Sequence, residues 1–140
     1  MVYGDTIQLV ERMHILIDES DPRPIYRQVA DEIRRLIAGG ALAEGEALPS
    51  VRQVAVDLGV NLNTIAGAYR ELQAEGLVTI RHGSGAVVAA RRKKSTKEAG
   101  ELRKPLQSAL TALVLAGVSR DEIVSLVRRE LRALTTKSSR

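Results

Sequence analysis

The feature that most restricts the fold of this chain is a tight turn at Gly59 and Val60, between two short segments whose apolar residues repeat at helical spacing. Before the turn, Val54, Ala55 and Leu58 share one helical face. Both segments are therefore predicted to be helices. The inward face of the helix after the turn is predicted at Ile65, Ala68, Tyr69 and Leu72.

Residues that favour helix ends stand at the borders of these segments. Ser50 with Gln53 fits a capping box, and Asn61 is a favourable N-cap. An earlier helix is predicted to have Pro24 at its first position and to end at Gly39. Its apolar residues are Ile25, Val29, Ile33, Leu36 and Ile37.

Two β-prone runs follow the helices: LVTI at 77–80 and AVVA at 86–89, separated by RHGSG. The two glycines of the separating segment permit a tight hairpin. Helix, helix, turn, helix and hairpin is the order of a winged helix-turn-helix. Many winged helices bind proteins instead of DNA, so the order alone leaves a protein-interaction module as an alternative.

The amino-terminal part contains one short β-prone run, MHILI at 13–17, followed by the turn-forming cluster DESDPRP. This pattern predicts a strand and then a turn. Met13 is a second candidate initiator, which would make residues 1–12 an extension. We recognise no basic and continuously apolar secretory signal in this part.

A second helical unit is predicted after a basic run, RRKKSTK at 91–97. Gly117 is a candidate C-cap, and Ser119 with Glu122 fits a second capping box. Pro105 is expected to start the first tail helix near Lys104 or to kink it. The predicted organisation is an extension at 1–12, a winged unit at 13–90, a basic linker at 91–97 and a two-helix antiparallel hairpin at 98–140.

The hairpin carries an apolar stripe that it cannot bury alone, because units of about 40 residues usually need outside support. The stripe packs either on the winged unit or on the same hairpin of a second chain. The charged linker favours the second arrangement, a homodimer. The predicted dimerisation residues are Leu106, Leu110, Leu113, Ile123, Leu126, Val127 and Leu131.

Composition excludes several classes of function. The chain has no Cys and two His, so it offers no disulfide, no thiol nucleophile and little for a metal site. We recognise no phosphate-binding loop and no paired acid and base, so we expect neither an enzyme nor a cofactor. The apolar runs are too short for a membrane helix, and the composition suits a reducing cytoplasm.

The net charge of +4 does not by itself identify a nucleic-acid-binding unit. Residues 18–90 hold seven Arg and ten acidic residues, whereas residues 91–140 hold thirteen basic and five acidic residues. The acidic excess of the first part supports the protein-interaction alternative. The basic run at 91–97 is either a solvated linker or a strap that binds phosphates without sequence preference.

The stretch from Pro24 to Val88 contains LPSVRQVA, LGVN, NTIAGAY, EGLV and GSG in this order. It closely resembles the DNA-binding domain of the GntR family of bacterial transcription regulators. The short tail with GVSRDEI in its turn resembles that of the YtrA subfamily. This resemblance implies a homodimeric repressor of its own operon and of neighbouring transporter genes. It leaves a small-molecule effector open.

The first turn of the helix after Asn61 is the part of a recognition helix that reaches base edges in the major groove. Leu62, Asn63 and Thr64 lie in it. Asn63 is suited to a bidentate pair with adenine, and Thr64 to a thymine methyl or a phosphate. Asn61 either contacts DNA as well or serves only as a cap.

The family resemblance adds contacts outside this helix. Arg52 matches a family position that contacts a guanine or a phosphate, and Ser50 lies beside it. The tip of the wing, Arg81, His82 and Gly83, matches the part of the family that enters the minor groove. Double-stranded operator DNA with an inverted repeat is the expected partner.

The recognition helix departs from the family pattern. Many members carry Arg or Lys where this chain has Leu62, Ala66 and Gly67. Gly67 also costs about 1 kcal/mol of helix stability relative to alanine. The small residues are expected to let the helix lie close to the groove, with specificity from Asn63, van der Waals contact and DNA shape.

Overall fold

The computed structural model describes residue 15, residues 17–81 and residues 85–136. The chain divides into a first unit that ends at Arg91 and a second unit that spans Arg92–Thr136. The described part of the first unit contains α1 (Ile25–Ala38), α2 (Val51–Leu58), α3 (Leu62–Ala74), β1 (Val78–Arg81) and β2 (Gly85–Val88). The second unit contains α4 (Thr96–Leu115) and α5 (Arg120–Thr136).

The first unit has the predicted winged helix-turn-helix order. Strands β1 and β2 pair antiparallel, with Val78 opposite Val88 and Arg81 opposite Gly85. Gly59 ends α2 in the left-handed conformation, with φ of 65°, which a residue without Cβ adopts readily. Pro24 precedes α1 at the N-cap position, one residue before the predicted place.

An aliphatic core with one tyrosine holds the first unit together. All predicted inward residues of α3 are buried, and Ile33 of α1 is inaccessible to solvent. Leu58 is only partly buried and packs against the cluster. The buried core residues are Ile15, Val29, Ala30, Ile33, Leu36, Ile37, Leu42, Leu48, Val54, Ala55, Ile65, Ala68, Tyr69, Leu72, Val78, Ala86 and Val88.

The loop before α2 joins the wing, which the sequence did not indicate. Ala47 forms a β-bridge with Val87, and the Leu48 amide donates to the Ala86 carbonyl at 2.8 Å. The Val88 amide donates to the Glu46 carbonyl at 2.9 Å. The wing is thus fixed directly to the chain that leads into α2.

The predicted strand at 13–17 is wrong at the positions that can be described. Ile15 and Ile17 have no strand partner, and residues 13, 14 and 16 lie outside the described chain. The backbone of Asp18 bonds instead to the side chain of Gln28, which accepts from its amide at 3.0 Å and donates to its carbonyl at 3.2 Å. Ile15 therefore reaches the core without a sheet.

The second unit is a helical hairpin whose turn at 116–119 follows the predicted caps. Gly117 has φ of 85°, and the Val118 amide donates to the Leu113 carbonyl at 3.1 Å. Ser119 and Glu122 form both bonds of the capping box, at 3.0 and 3.2 Å. These caps fix where α4 ends and α5 begins.

Helix α4 begins at Thr96 and not at Lys104. Ser95 and Glu98 form a capping box that starts the helix inside the predicted linker. Pro105 lies within the helix and lacks only the amide that would donate to Glu101. A well-capped helix tolerates this single missing bond. The sequence interpretation expected the proline to start the helix or to kink it.

The hairpin leaves three of the seven predicted stripe residues exposed and buries one. Among its described residues, Ile123 is buried, whereas Leu110, Leu113 and Leu126 are partly buried. A groove of about 820 Å³ separates the two helices, and its lining is almost entirely aliphatic. The predicted stripe residues that remain exposed are Leu106, Val127 and Leu131, and Val114 of α4 is exposed as well.

Candidate nucleic-acid interface

The first turn of α3 presents polar groups beside an exposed leucine. Asn61 caps the helix: its side-chain oxygen accepts from the Asn63 amide at 2.8 Å. Leu62 is 44% exposed, the Asn63 side chain is exposed and Thr64 is half-buried. The cap occupies one acceptor of Asn61, and its side-chain NH2 group donates to no described residue. The capping role is therefore confirmed, and a donor remains for another partner.

Two hydrogen bonds fix α3 to its neighbours. The Tyr69 hydroxyl donates to the Pro49 carbonyl at 2.6 Å, just before α2. The side chain of Gln73 accepts from the Ile80 amide of β1 at 2.6 Å. Burial raises the pKa of Tyr69, so its hydroxyl stays protonated as a donor at neutral pH. Helix α3 is thus tied to α2 on one side and to the wing on the other.

The tip end of the two wing strands lies against the beginning of α2. Gly85 has φ of 79°, and a Cβ built on it would lie 3.9 Å from Ser50 Cα and 3.8 Å from the Leu48 carbonyl oxygen. Arg81 is the β1 partner of Gly85. The structure therefore places Ser50 close to the tip end of the wing strands, where Arg81 lies, as a composite contact surface requires.

The cap of α2 is simpler than predicted. The Ser50 hydroxyl accepts from the Gln53 amide at 3.1 Å, which is one half of a capping box. The Gln53 side chain turns to Asp57, to which it donates at 3.0 Å. Arg52, in the same first turn, is exposed.

The seven arginines of residues 18–90 separate into two groups. Arg23 and all three arginines of α1 bind carboxylates, and Arg34 alone contacts Asp31, Glu71 and Glu75 at 2.6 to 3.1 Å. The hydrogen bond to Glu75 raises the pKa of Arg34. The four paired arginines are Arg23, Arg27, Arg34 and Arg35.

The side chains of the other three arginines in residues 18–90, Arg52, Arg70 and Arg81, form no ion pair or hydrogen bond with any described residue. All three are exposed. Since five of the ten acidic residues in 18–90 are held by Arg23 and the α1 arginines, the acidic excess does not neutralise these cations. A count of charges along the sequence does not distinguish the paired arginines from the unpaired ones.

Arg70 is a candidate that the sequence interpretation missed. It follows Asn63 by seven residues and therefore lies on the same face of α3. This spacing is visible in the sequence, but the sequence interpretation considered only the first turn of the helix. The remaining predicted contacts at the wing tip, His82 and Gly83, lie outside the described residues.

The described residues show neither a metal-binding cluster nor a membrane-spanning helix. Over residues 15, 17–81 and 85–136, no group of three or more His, Cys, Asp or Glu is placed to hold a metal ion. Within the same ranges, the helices are too short or too polar to cross a membrane.

Comparison with known proteins agrees with the geometry. Residues 25–88 match the family model described as bacterial regulatory proteins, gntR family. The HTH-type transcriptional repressor YtrA of Bacillus subtilis is 34% identical over 84 residues, covering 60% of this chain and 65% of that protein. The chain thus spans just under two thirds of this relative. The transcriptional regulator YhcF of the same organism is 38% identical over 68% of this chain and 72% of its own.

Solved structures extend the similarity into the second unit. YtrA from Sulfolobus acidocaldarius, a GntR-family transcription factor, is 38% identical with a TM-score of 0.58, over 69% of this chain and 97% of that one. A transcriptional antiterminator from Listeria monocytogenes is 32% identical with a TM-score of 0.76, over 85% and 90%. With the exposed α3 turn, the wing and the short helical tail, these matches show that the chain belongs to the GntR family of transcription regulators and is of the YtrA type.

Proposed function

We propose that this chain is a homodimeric repressor that binds double-stranded operator DNA through α3, the start of α2 and the wing. Asn63 and Thr64 read base edges in the major groove, with Leu62 in van der Waals contact. Ser50 and Arg52 contact the DNA beside Asn63 and Thr64. Asn61 adds its free amide NH2 group, while Arg81, His82 and Gly83 bind at the minor groove.

The observation that carries this proposal is the separation of the arginines. Cations that serve only the fold are expected to have acidic partners, as Arg34 does. Arg52 and Arg81 have no acidic partner among the described residues. Arg52 lies in α2 and Arg81 in β1, and the start of α2 approaches the wing at Gly85. Exposed, unpaired guanidinium groups are what a surface for phosphates and guanines requires.

The second unit supports a dimer. Its groove is lined by leucine, isoleucine and valine together with Arg120 and Arg128, and Leu106 and Val114 are 53% and 62% exposed within one protomer. The same face of a second copy would bury them. A two-fold dimer reads an inverted repeat, with half-sites spaced by the distance between its two α3 helices.

The subfamily supports a role as repressor of the chain's own operon and of adjacent transporter genes. Bacterial promoter DNA lies in the cytoplasm, so this function is cytoplasmic. Binding to the operator would compete with polymerase. A small-molecule effector is not part of the proposal.

The protein-interaction alternative loses its main support. It rested on the acidic excess of residues 18–90, and Arg23 together with the α1 arginines binds half of those acids in ion pairs. Salt dependence separates the two functions, because binding to phosphates releases counterions and weakens steeply as salt rises. Binding to a partner protein that is indifferent to salt would favour the alternative.

Gel-shift titration tests the proposal on the promoter DNA upstream of the protein's own gene. We expect binding to that DNA at physiological salt to be at least a thousandfold tighter than to scrambled DNA of equal length. Equal affinity for both would refute the proposal. The stoichiometry at saturation, two protomers for each operator, tests the dimer in the same experiment.

Arg52→Ala tests the contact at α2. We expect operator binding to weaken at least tenfold with no fall in melting temperature, because Arg52 is exposed and has no described partner. Arg35→Ala is the matched control, since it removes the same charge from α1, away from the proposed surface. Unchanged operator binding by Arg52→Ala would remove this residue from the site.

A further inference from the structure

We propose that Arg70 is a DNA-backbone contact that supplies the positive charge missing from the first turns of α3. This inference rests on the proposed function and names a residue outside the predicted recognition turn. Its chemical partner is a phosphate oxygen of the duplex. The contact would position α3 in the groove without reading sequence.

Helical geometry places Arg70 with the recognition residues. Asn63, Gly67 and Arg70 are separated by four and three residues, the spacings that align side chains on one helix face. The opposite face carries Ile65, Ala68, Tyr69 and Leu72, all buried in the core. Arg70 therefore belongs to the outward face that begins at Asn63.

Gly67 determines where the Arg70 guanidinium lies. A Cβ built on Gly67 would be 3.9 Å from Arg70 Nη2, so the guanidinium lies beside the glycine, one turn nearer the start of the helix. Long helical side chains lean in this direction. The absence of a side chain at 67 leaves the guanidinium beside bare helix surface. The charge is thereby carried toward the end of α3 that the proposed function places in the groove.

The charge of Arg70 is not neutralised by its neighbours. The adjacent Glu71 is bound by Arg34 at 3.1 Å and by Arg27 at 3.4 Å. Arg70 contacts no acid in the described parts of the chain. The outward positions before it are Leu62, Asn63, Ala66 and Gly67, so α3 has no other basic residue to offer a phosphate.

Salt-dependent binding of the full-length protein to its operator and to scrambled DNA tests this inference. A phosphate contact contributes about 0.9 to the slope of log K against log salt for each phosphate neutralised. We expect Arg70→Gln to reduce the magnitude of the slope by about this amount per protomer. Affinity should fall by a similar factor on both DNAs, and the melting temperature should stay unchanged because Arg70 is exposed.

Two further variants complete the experiment. Arg70→Lys keeps the charge and is expected to retain most of the slope, since an ammonium group also binds a phosphate. Arg35→Gln changes the net charge equally on α1 and is expected to leave the slope near the wild-type value. An effect of the same size in Arg35→Gln would overturn the contact, because it would indicate bulk charge alone.

The outcomes separate the inference from the function on which it rests. If wild type prefers its operator but Arg70→Gln has the same affinity and slope, the Arg70 contact is refuted and the repressor function stands. A loss confined to operator DNA, with scrambled DNA unaffected, refutes the phosphate assignment. If wild type shows no preference for operator DNA, the proposed function itself fails.

Discussion

The two units of this chain contain similar amphipathic helices but differ in how completely the apolar faces of those helices are buried. In the first unit, the stripes of α1, α2 and α3 meet one another and the wing, so residues such as Ile33 and Leu72 lose all contact with solvent. In the second unit, α4 buries no residue at all. Leu106, from the same kind of pattern, remains half exposed.

The difference shows that periodicity predicts which face of a helix is apolar, and not what covers it. Helix α1 finds α3 within the chain because connecting elements bring the two together. The hairpin has only two helices, so each stripe can be covered along one side and the other side stays open. A second copy of the chain is the partner that our proposal assigns to it.

The largest effect is expected at the closed core. Ile33→Ala removes a buried side chain from α1 and should lower the free energy of unfolding by about 2–5 kcal/mol, at every protein concentration. Urea titration followed by circular dichroism measures it. Val56→Ala is the matched control, since Val56 of the same unit is 70% exposed and should change stability little. Equal effects of both variants would contradict the described core.

A smaller and concentration-dependent effect is expected in the hairpin. If a second copy covers Leu106, Leu106→Ala loses burial of its exposed half, about 1 kcal/mol for each protomer. The dimer Kd should then rise about 30-fold, as measured by analytical ultracentrifugation. Leu115→Ala is the control, because Leu115 is 82% exposed and does not line the groove. An unchanged Kd for Leu106→Ala would place the dimer interface elsewhere.

Much of the fold could be predicted because local signals and core packing agree. The periodicity of α3, the turn at Gly59 and the glycines of the wing each depend on a few neighbouring residues. The missed features depend on distant partners. Gln28 binds the backbone of Asp18, and Ala47 pairs with Val87, but no local pattern indicates either contact.

The start of α4 was missed for a different reason. Pro105 was given more weight than the Ser95–Glu98 capping box, although the proline removes one hydrogen bond and the box satisfies two amides. Arg91 was also assigned to a free linker. Its backbone amide donates to Glu44 at 2.7 Å, and its guanidinium donates to the Ile37 carbonyl at the end of α1. These bonds fix the residue from which the linker leaves the first unit.

The local geometry of the proposed site could be predicted only where its residues adjoin one another in sequence. The polar first turn of α3 follows directly from Asn61 as a cap. Arg52 and Arg81 lack acidic partners because acids distant in sequence bind other arginines, and a charge count cannot show this. Arg70 required the position of a guanidinium relative to Gly67, which only coordinates supply.

Tyr69→Phe tests whether the hydrogen bond to Pro49 stabilises the first unit and its proposed DNA-binding surface. We expect the free energy of unfolding to fall by about 1 kcal/mol. The variant keeps the ring in the core and leaves the Pro49 carbonyl without its donor. Urea unfolding should show the loss, and operator binding should weaken because α2 is no longer tied to α3. Tyr26→Phe, at a partly buried tyrosine of α1, is the control. No change in stability would show that the bond is not needed.

The smallest effect distinguishes the two serine caps by pH. Hydrogen bonds from Ser95 hold the pKa of Glu98 below its ordinary value, so the α4 cap is fully stabilising above the ordinary glutamate pKa and is lost as pH falls through the lowered one. The Ser50 cap of α2 receives the Gln53 amide and uses no carboxylate of its own. Amide exchange by NMR should therefore show acid-induced fraying at the first turn of α4 and not at that of α2. Glu98→Gln should abolish the pH dependence at α4, and fraying of equal size at both caps would show that the carboxylate does not control it.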